Sequence, residues 1–375
     1  MHTSPIVGRL APSPTGELHL GHARSFLLAW WSARAAGGRV VLRWEDIGSD
    51  RVRPEFVQAM RTDLAWLGLD HDGEEVVQSA RLGPIRSVID GLLARGAVYP
   101  CICSRSAVRA AQDELAAPHP TRAVREAHTE AAAPSPRSAP VDRSTRTDFA
   151  GPPELEELFA EPEPAYPGTC RGRFGSLGAA LAELAREGHG QRAPALRFDV
   201  ARAGSRRRVH DAVWGAVEVD LAVHGGDFVV ARGAADGAHE VGYQVAVVVD
   251  DAADGVNEVV RGVDLMTSAA RQELIAEAAG LPSPKWAHVP LVTDAEGQRL
   301  AKRTRAASLE HLRAAGVAAA DVVRWAAVSA GLVPAAAAGE LHAAPDALAR
   351  LDPREPLGGL ARSPVVLPDF DRTSS

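Results

Sequence analysis

Arg9-Leu10-Ala11-Pro12-Ser13-Pro14-Thr15-Gly16-Glu17-Leu18-His19-Leu20-Gly21-His22 decides how the rest of the chain is organised. Ile6 and Val7, a short apolar pair, precede it, and Ala23-Arg24-Ser25-Phe26-Leu27-Leu28-Ala29-Trp30-Trp31 follows. Phe26 and Trp30, like Leu27 and Trp31, stand four residues apart, which puts each pair on one helix face. The order is strand, Pro/Gly-rich loop, helix. His19 and His22 fall at the helix start, where free backbone N–H groups and the helix dipole favour an anion. Gly21 lets a ligand approach the backbone closely. Two imidazoles there predict a phosphate site, and strand–loop–helix is the context in which α/β folds bind nucleotides.

Downstream the pattern repeats. Arg39 to Asp46 reads as a second strand, apolar and ending in charge. Pro54 starts a helix at its first position, with Phe56, Val57, Met60, Leu64 and Leu67 on one stripe. Another helix runs from Pro84 to Arg95. Alternation of this kind predicts a parallel sheet with helices packed on it. Cys101-Ile102-Cys103 then opens a change of texture. The following segment is rich in Ala, Pro, Ser, Arg and Thr, and residues from about 114 to 160 read as a disordered or loosely helical insertion. From Ala195 short strands return, at 196–200, 216–219 and 227–230. Gln244 to Asp251 is the end of a helix or a buried strand, since periodicity cannot decide over so few residues. Val256 to Arg261 and Ala287 to Val292 read as strands. Thr267 or Ser268 is placed to cap a helix ending near Gly280. Two more helices are expected, from about Ser308 to Ala315 and Ala319 to Ala330, and the tail after Asp352 reads as frayed.

The 375 residues suffice for two or three domains, and 46% hydrophobic with 24% charged residues is ordinary for a soluble globular protein. No apolar run is long enough to span a bilayer, the start lacks a leader pattern, and three cysteines argue against a disulfide framework. These features predict a cytoplasmic protein that does not engage a membrane. A formal net charge of −7 has the wrong sign for general phosphate neutralisation. RNA would have to bind at a local basic patch, for which Arg171, Arg173, Arg206, Arg207 and Arg208 are candidates.

His19-Leu20-Gly21-His22 resembles the first signature of the class I aminoacyl-tRNA synthetases, and Gly8 through Gly16 is similar to the glutamyl branch of that class. Arg299-Leu300-Ala301-Lys302-Arg303 resembles the second signature, whose lysines sit over ATP phosphates. Here Arg299 stands at the first lysine position, Ala301 replaces the preceding serine, and Lys302 is retained. The resemblance implies an α/β, Rossmann-type class I synthetase catalytic domain with an inserted zinc-binding, acceptor-like subdomain and a short helical C-terminal part. The implied division is a first catalytic half at 1–100, the zinc-binding subdomain at 101–195, a second catalytic half at 196–305, a helical stem at 306–352 and a flexible tail at 353–375.

The same resemblance implies site residues. His19, Gly21, His22 and Lys302 would bind ATP, with His19, His22 and Lys302 stabilising charge on its phosphates. Arg9, Ser13, Glu45, Tyr243 and Arg261 would bind glutamate: the arginines its carboxylates, Glu45 its ammonium, with Tyr243 beside it. The chemistry is apt, because a dicarboxylate needs bidentate cations. Cys101, Cys103 and Cys170 are good zinc ligands. Tyr166 would be the fourth, although on chemistry alone His119 or His128 would serve. The Cys-x-Cys, Tyr-x3-Cys arrangement resembles that of the glutamyl-Q tRNA(Asp) synthetases, which hold zinc with it, while the gap from Cys103 to Tyr166 is longer than theirs.

The implied activity is ATP-dependent activation of L-glutamate, with Mg2+, and transfer of the glutamyl group to queuosine at the wobble position of tRNA(Asp), by a monomer. The short stretch after Arg303 implies no anticodon-binding domain. Two rivals are an enzyme charging the 3′ end of tRNA with glutamate and a non-catalytic synthetase-like binding protein.

Overall fold

The computed structural model describes residues 5–48, 50–116, 149–150, 155, 163–294, 307–368 and 370. In chain order the elements are β1 (Val7–Leu10), α1 (Leu20–Ala35), β2 (Arg39–Trp44), α2 (Pro54–Trp66), β3 (Val76–Val77), α3 (Leu82–Ala94), β4 (Val98–Cys101), α4 (Arg105–Ala116), β5 (Phe149–Ala150), α5 (Leu177–Arg186) and β6 (Ala195–Phe198). There follow β7 (Arg206–Asp211), β8 (Gly215–Asp220), β9 (Val229–Gly233), β10 (His239–Val241), α6 (Tyr243–Asp254), β11 (Glu258–Gly262), α7 (Met266–Ala279), β12 (Lys285–Val289) and β13 (Val292–Thr293). The last are α8 (Leu309–Ala314), α9 (Ala319–Ser329) and β14 (Val365–Val366).

The centre is the expected parallel sheet. β1 pairs with β2 and β2 with β3, all parallel. On the other side β11 lies along β1: the Asn257 N–H donates to the Val7 carbonyl (3.0 Å), and the Val7 N–H donates to Asn257 Oδ1 (2.8 Å). β12 pairs parallel with β11 and meets β7 at Trp286–Asp211, and the β7–β8 hairpin carries β5 at its edge. Chain order thus reverses between β1 and β11. Such a switch point leaves a crevice at the carboxyl ends of the strands, where open α/β sheets bind ligands. Leu10, Val40, Leu42, Val259, Val260 and Trp286 of this sheet are buried in one core with Leu27, Leu28 and Trp31 of α1.

A second, antiparallel sheet has the order β10-β9-β6-β4. It joins β4 to β6, β9 and β10, strands that flank the segment between Cys101 and Ala195. Within the expected insertion, Phe149–Ala150 pairs with β8. Its remaining residues, from 117 on, lie outside the described set except for Leu155 and the return at 163, as do His119 and His128.

One open local reading is decided and two local expectations change. Gln244 to Asp251 is helix: α6 ends on Gly255 in the left-handed region (φ 70°). Val245 through Asp251 are all buried, which erased the one-sided pattern. Neither Thr267 nor Ser268 caps α7, whose N-cap is Leu265 and which continues from a 3-10 turn, Val263–Leu265. The Ser268 hydroxyl instead accepts from Gln244 Nε2 (3.1 Å). The tail expected to fray is packed as far as 367: Leu357, Leu360 and Val365 are buried, and β14 pairs with β13. Burial of Leu357, Leu360 and Val365 favours the packed tail, while Val366 stays exposed. No helix among the described residues is long and apolar enough to cross a membrane.

Candidate active site

The crevice at the switch point is lined by charge. Arg9 comes from β1, Glu45 from just past β2, Arg261 from β11, and Tyr243 from the first turn of α6. Arg9, Glu45 and Arg261 are buried, whereas Tyr243 is 37% exposed. Burial is the main cause that raises the Glu45 carboxyl pKa, opposed by Arg43 and Arg9. The protein crowded about the partly exposed Tyr243 raises its phenol by desolvation, with Glu45 adding to it. Burial lowers the Arg261 guanidinium, with Arg9 repelling it and Tyr243, Asp251 and Glu45 opposing. Arg9 Nη1 donates to the Val260 carbonyl (3.2 Å), while its buried Nε makes no hydrogen bond and lies 3.8 Å from Asp251. Two cations, one anion and a phenol in a desolvated cleft suit a ligand with two carboxylates and one ammonium. Ser13 is exposed on the loop beside them, which is tied down by Glu45 N–H to the Pro12 carbonyl (3.0 Å) and Arg53 N–H to the Pro14 carbonyl (3.2 Å).

Beneath the crevice lies a group that no local signal reveals. Arg43, fully buried, donates to Asp251 (2.7 Å), Glu45 (3.3 Å) and Asp254 (3.3 Å). Arg81 also bonds Asp254, and Gln78 holds Asp250 (2.7 Å). The Asp251 carboxylate thereby ties β1 to β2 through Arg9 and Arg43.

His19 and His22 meet at the start of α1, their rings stacked at 3.7 Å. His19 is the N-cap: its Nδ1 accepts from the Gly21 N–H (3.1 Å), and His22 Nδ1 accepts from the His19 N–H (3.2 Å). The caps consume two N–H groups that the sequence reading left to an anion, and they fix the proton of each neutral ring on Nε2. A Cβ at Gly21 would stand 3.0 Å from the His19 ring, so any side chain there displaces the cap. Lys302, with Arg299 and Ala301, lies outside the described residues. Both flanks of that segment reach the α1 start: the same Cβ would stand 3.8 Å from Val292, and Leu309 N–H donates to the Leu18 carbonyl (2.9 Å) while Ser308 bridges His19.

Cys101, Cys103 and Cys170 converge, their sulfurs mutually within 4.8 Å. The Tyr166 hydroxyl lies 3.3 Å from Cys101 Sγ and 3.6 Å from Cys103 Sγ, and it accepts the Cys170 N–H (3.0 Å). Arg197 donates to Cys101 Sγ (3.4 Å) and stacks over the Tyr166 ring at 3.8 Å. A hydrogen bond from Cys170, then Tyr166 and Arg197, holds the Cys101 thiol well below its ordinary range. Four donors in a small core of their own, with Tyr99, Ile102 and Leu184, fit one tetrahedral cation. The arginines expected to form a basic patch are each ion-paired: Arg171 with Asp227, Arg173 with Glu183, Arg206 with Asp220, Arg207 with Glu277 and Arg208 with Glu218. They do not form a bare cationic face.

The family model of the class I tRNA synthetases (E and Q), catalytic domain, matches residues 5–137 and 171–333. Glutamyl-Q tRNA(Asp) synthetase of Nitratidesulfovibrio vulgaris is 39% identical over 340 residues, 88% of this chain and 87% of that protein. Its namesake from Symbiobacterium thermophilum is 40% identical over 336 residues, with 88% and 87% coverage. The crystal structure of glutamate-tRNA synthetase from Elizabethkingia anophelis superposes with a TM-score of 0.69 at 20% identity, covering 97% of this chain and 68% of that one, a likeness of fold. The chain belongs to the class I tRNA synthetase family of the glutamyl and glutaminyl type, among its glutamyl-Q tRNA(Asp) synthetases, and is a ligase.

Proposed function

We propose that the protein activates L-glutamate with ATP and transfers the glutamyl group to queuosine of tRNA(Asp), a reading in keeping with the name glutamyl-Q tRNA(Asp) synthetase that its relatives carry. The observation that carries the reading is the charge set of the crevice, Arg9, Arg261, Glu45 and Tyr243, complementary to glutamate in the number and sign of its ionised groups. A glutamate carboxylate oxygen attacks the α-phosphorus of ATP, the bond to the bridging oxygen breaks, and pyrophosphate leaves with Mg2+. His19, His22 and Lys302 stabilise the charge that grows on the phosphate oxygens. A hydroxyl of the queuosine ring then attacks the glutamyl carbonyl and AMP departs with the electron pair. The crevice supplies position and electrostatics; no protein nucleophile takes part.

Cys101, Cys103, Tyr166 and Cys170 would hold a structural zinc ion that clips together the two ends of the long segment between Cys103 and Tyr166, with Arg197 offsetting the excess negative charge. The purified chain is expected to carry a single zinc by elemental analysis, and Cys103→Ser to lose it and melt earlier. A full complement of zinc in that variant would overturn the assignment.

The test of the function is glutamate-dependent ATP–pyrophosphate exchange without tRNA, followed by transfer to tRNA(Asp) with and without queuosine. Exchange with glutamate, not aspartate or glutamine, and transfer only to the queuosine form support the reading. Charging of the queuosine-free tRNA at its 3′ end sinks it in favour of a 3′-charging enzyme, and absence of exchange leaves a binding protein.

A further inference from the structure

Arg261 is held from behind by residues that the glutamate reading does not use. β11 and β12 pair in a register that sets Arg261 opposite His288, and the single β12–β7 pairing, Trp286–Asp211, brings the end of β7 alongside. His288 is fully buried. Its Nε2 accepts from Arg261 Nε (3.0 Å), and its Nδ1 lies 2.7 Å from Asp211 Oδ2. Asp211 in turn accepts from the N–H groups of Val213 (2.9 Å), Trp214 (3.0 Å) and His288 (3.0 Å). A donor on one ring nitrogen and a carboxylate on the other allow one tautomer: the proton sits on Nδ1 and Nε2 is bare. The rest of the guanidinium is fixed too. Nη1 donates to Gln272 Oε1 (2.9 Å), Nη2 to the Leu265 carbonyl (3.1 Å), and the group stacks on Trp286 at 4.7 Å. One N–H on each Nη remains, the pair that a carboxylate needs.

We propose that His288 is a positioning residue for the substrate carboxylate: locked by Asp211 as the Nδ1–H tautomer, it accepts from Arg261 and aims the two remaining N–H groups of that guanidinium into the crevice. This rests on the reading of Arg261 as a glutamate ligand. The relay has a pH limit. Among the described residues the titratable groups bonded to the imidazole are Asp211 on β7 and Arg261 on β11; Trp286, stacked on the ring, and the Leu265 backbone do not titrate. A proton on Nε2 would face the Arg261 N–H. Burial first, and then Arg261, outweigh Asp211 and lower the imidazole pKa to about 4.

Two measurements test it. In 15N–1H NMR of histidine-labelled protein, the signals lost in His288→Asn are expected to show a protonated Nδ1 and a bare Nε2 from about pH 8 to about pH 5. A proton on Nε2 overturns the relay whether or not the protein activates glutamate. In exchange kinetics, His288→Asn, which keeps the donor to Asp211 but not the acceptor for Arg261, is expected to raise KM for glutamate about tenfold or more with KM for ATP unchanged. His288→Gln, which restores the acceptor, is expected to recover most of it. An unchanged glutamate KM, or glutamate and ATP KM rising together, or no recovery in His288→Gln, overturns the proposal. A parent chain that fails to exchange overturns the glutamate reading instead, and the NMR result then decides the relay by itself.

Discussion

Arg261→Gln is expected to lower kcat/KM for glutamate activation by about a hundred- to a thousandfold, through KM, with KM for ATP little changed. Arg261 is 5% exposed, so a carboxylate meeting it is desolvated and its charge must be matched. Glutamine removes the charge and the fork while keeping an amide near Gln272 and Trp286, which separates loss of recognition from loss of packing. Arg261→Lys is expected to do little better, since an ammonium cannot donate at once to His288, Gln272, Leu265 and a bidentate ligand. Steady-state exchange at varied glutamate and ATP checks this. A glutamate KM in Arg261→Gln within about twofold of the parent's, a difference too small for a lost carboxylate fork, would remove Arg261 from the site.

Arg43→Met is expected to cost about 3–5 kcal/mol of unfolding free energy at neutral pH. The side chain is fully buried and is the partner shared by Glu45, Asp251 and Asp254. Methionine fills much of the volume but leaves buried carboxylates facing one another, with Asp254 keeping Arg81 and Asp251 keeping only the longer contact to Arg9. The sign of the pH dependence follows. The Glu45 carboxyl is already raised by burial against the pull of Arg43, and losing that pull raises it further. A carboxyl whose folded pKa lies above its unfolded value costs nothing below the unfolded pKa and costs more as pH climbs through the folded one. The gap between parent and variant is therefore expected to narrow from about pH 8 to about pH 5. Denaturant unfolding at the two pH values measures it, and a gap that widens in acid would show that the cluster does not carry stability in this way.

Local signals were legible where one residue type does one job. Pro54 at the start of α2, the left-handed Gly280 ending α7, Ser308 capping α8 and the strand–loop–helix at the head of the chain all needed no distant partner. The proposed glutamate pocket was nameable only because its residues resemble a family's: Arg9 and Arg261 are separated by most of the chain, and neither residue type predicts the other. Where an element is buried along most of its length, as α6 is, local pattern left helix and strand open; where a terminus finds a strand to pair with, as β14 does, composition misled.

By itself the sequence determined the α/β alternation, the turn that presents His19 and His22, and the donor types of the cysteine cluster, because each depends on backbone preferences within a few residues or on side-chain chemistry alone. Only the tertiary structure decided which charges meet: Asp211, Arg261 and His288 come together from three strands through one sheet register, and Arg43 finds Asp251 and Asp254 across the sheet-to-helix packing. The physical reason is that a buried charge is tolerable only with its partner in place, and the pairing of strands far apart in the chain, not the order of residues along any one of them, puts the partner there.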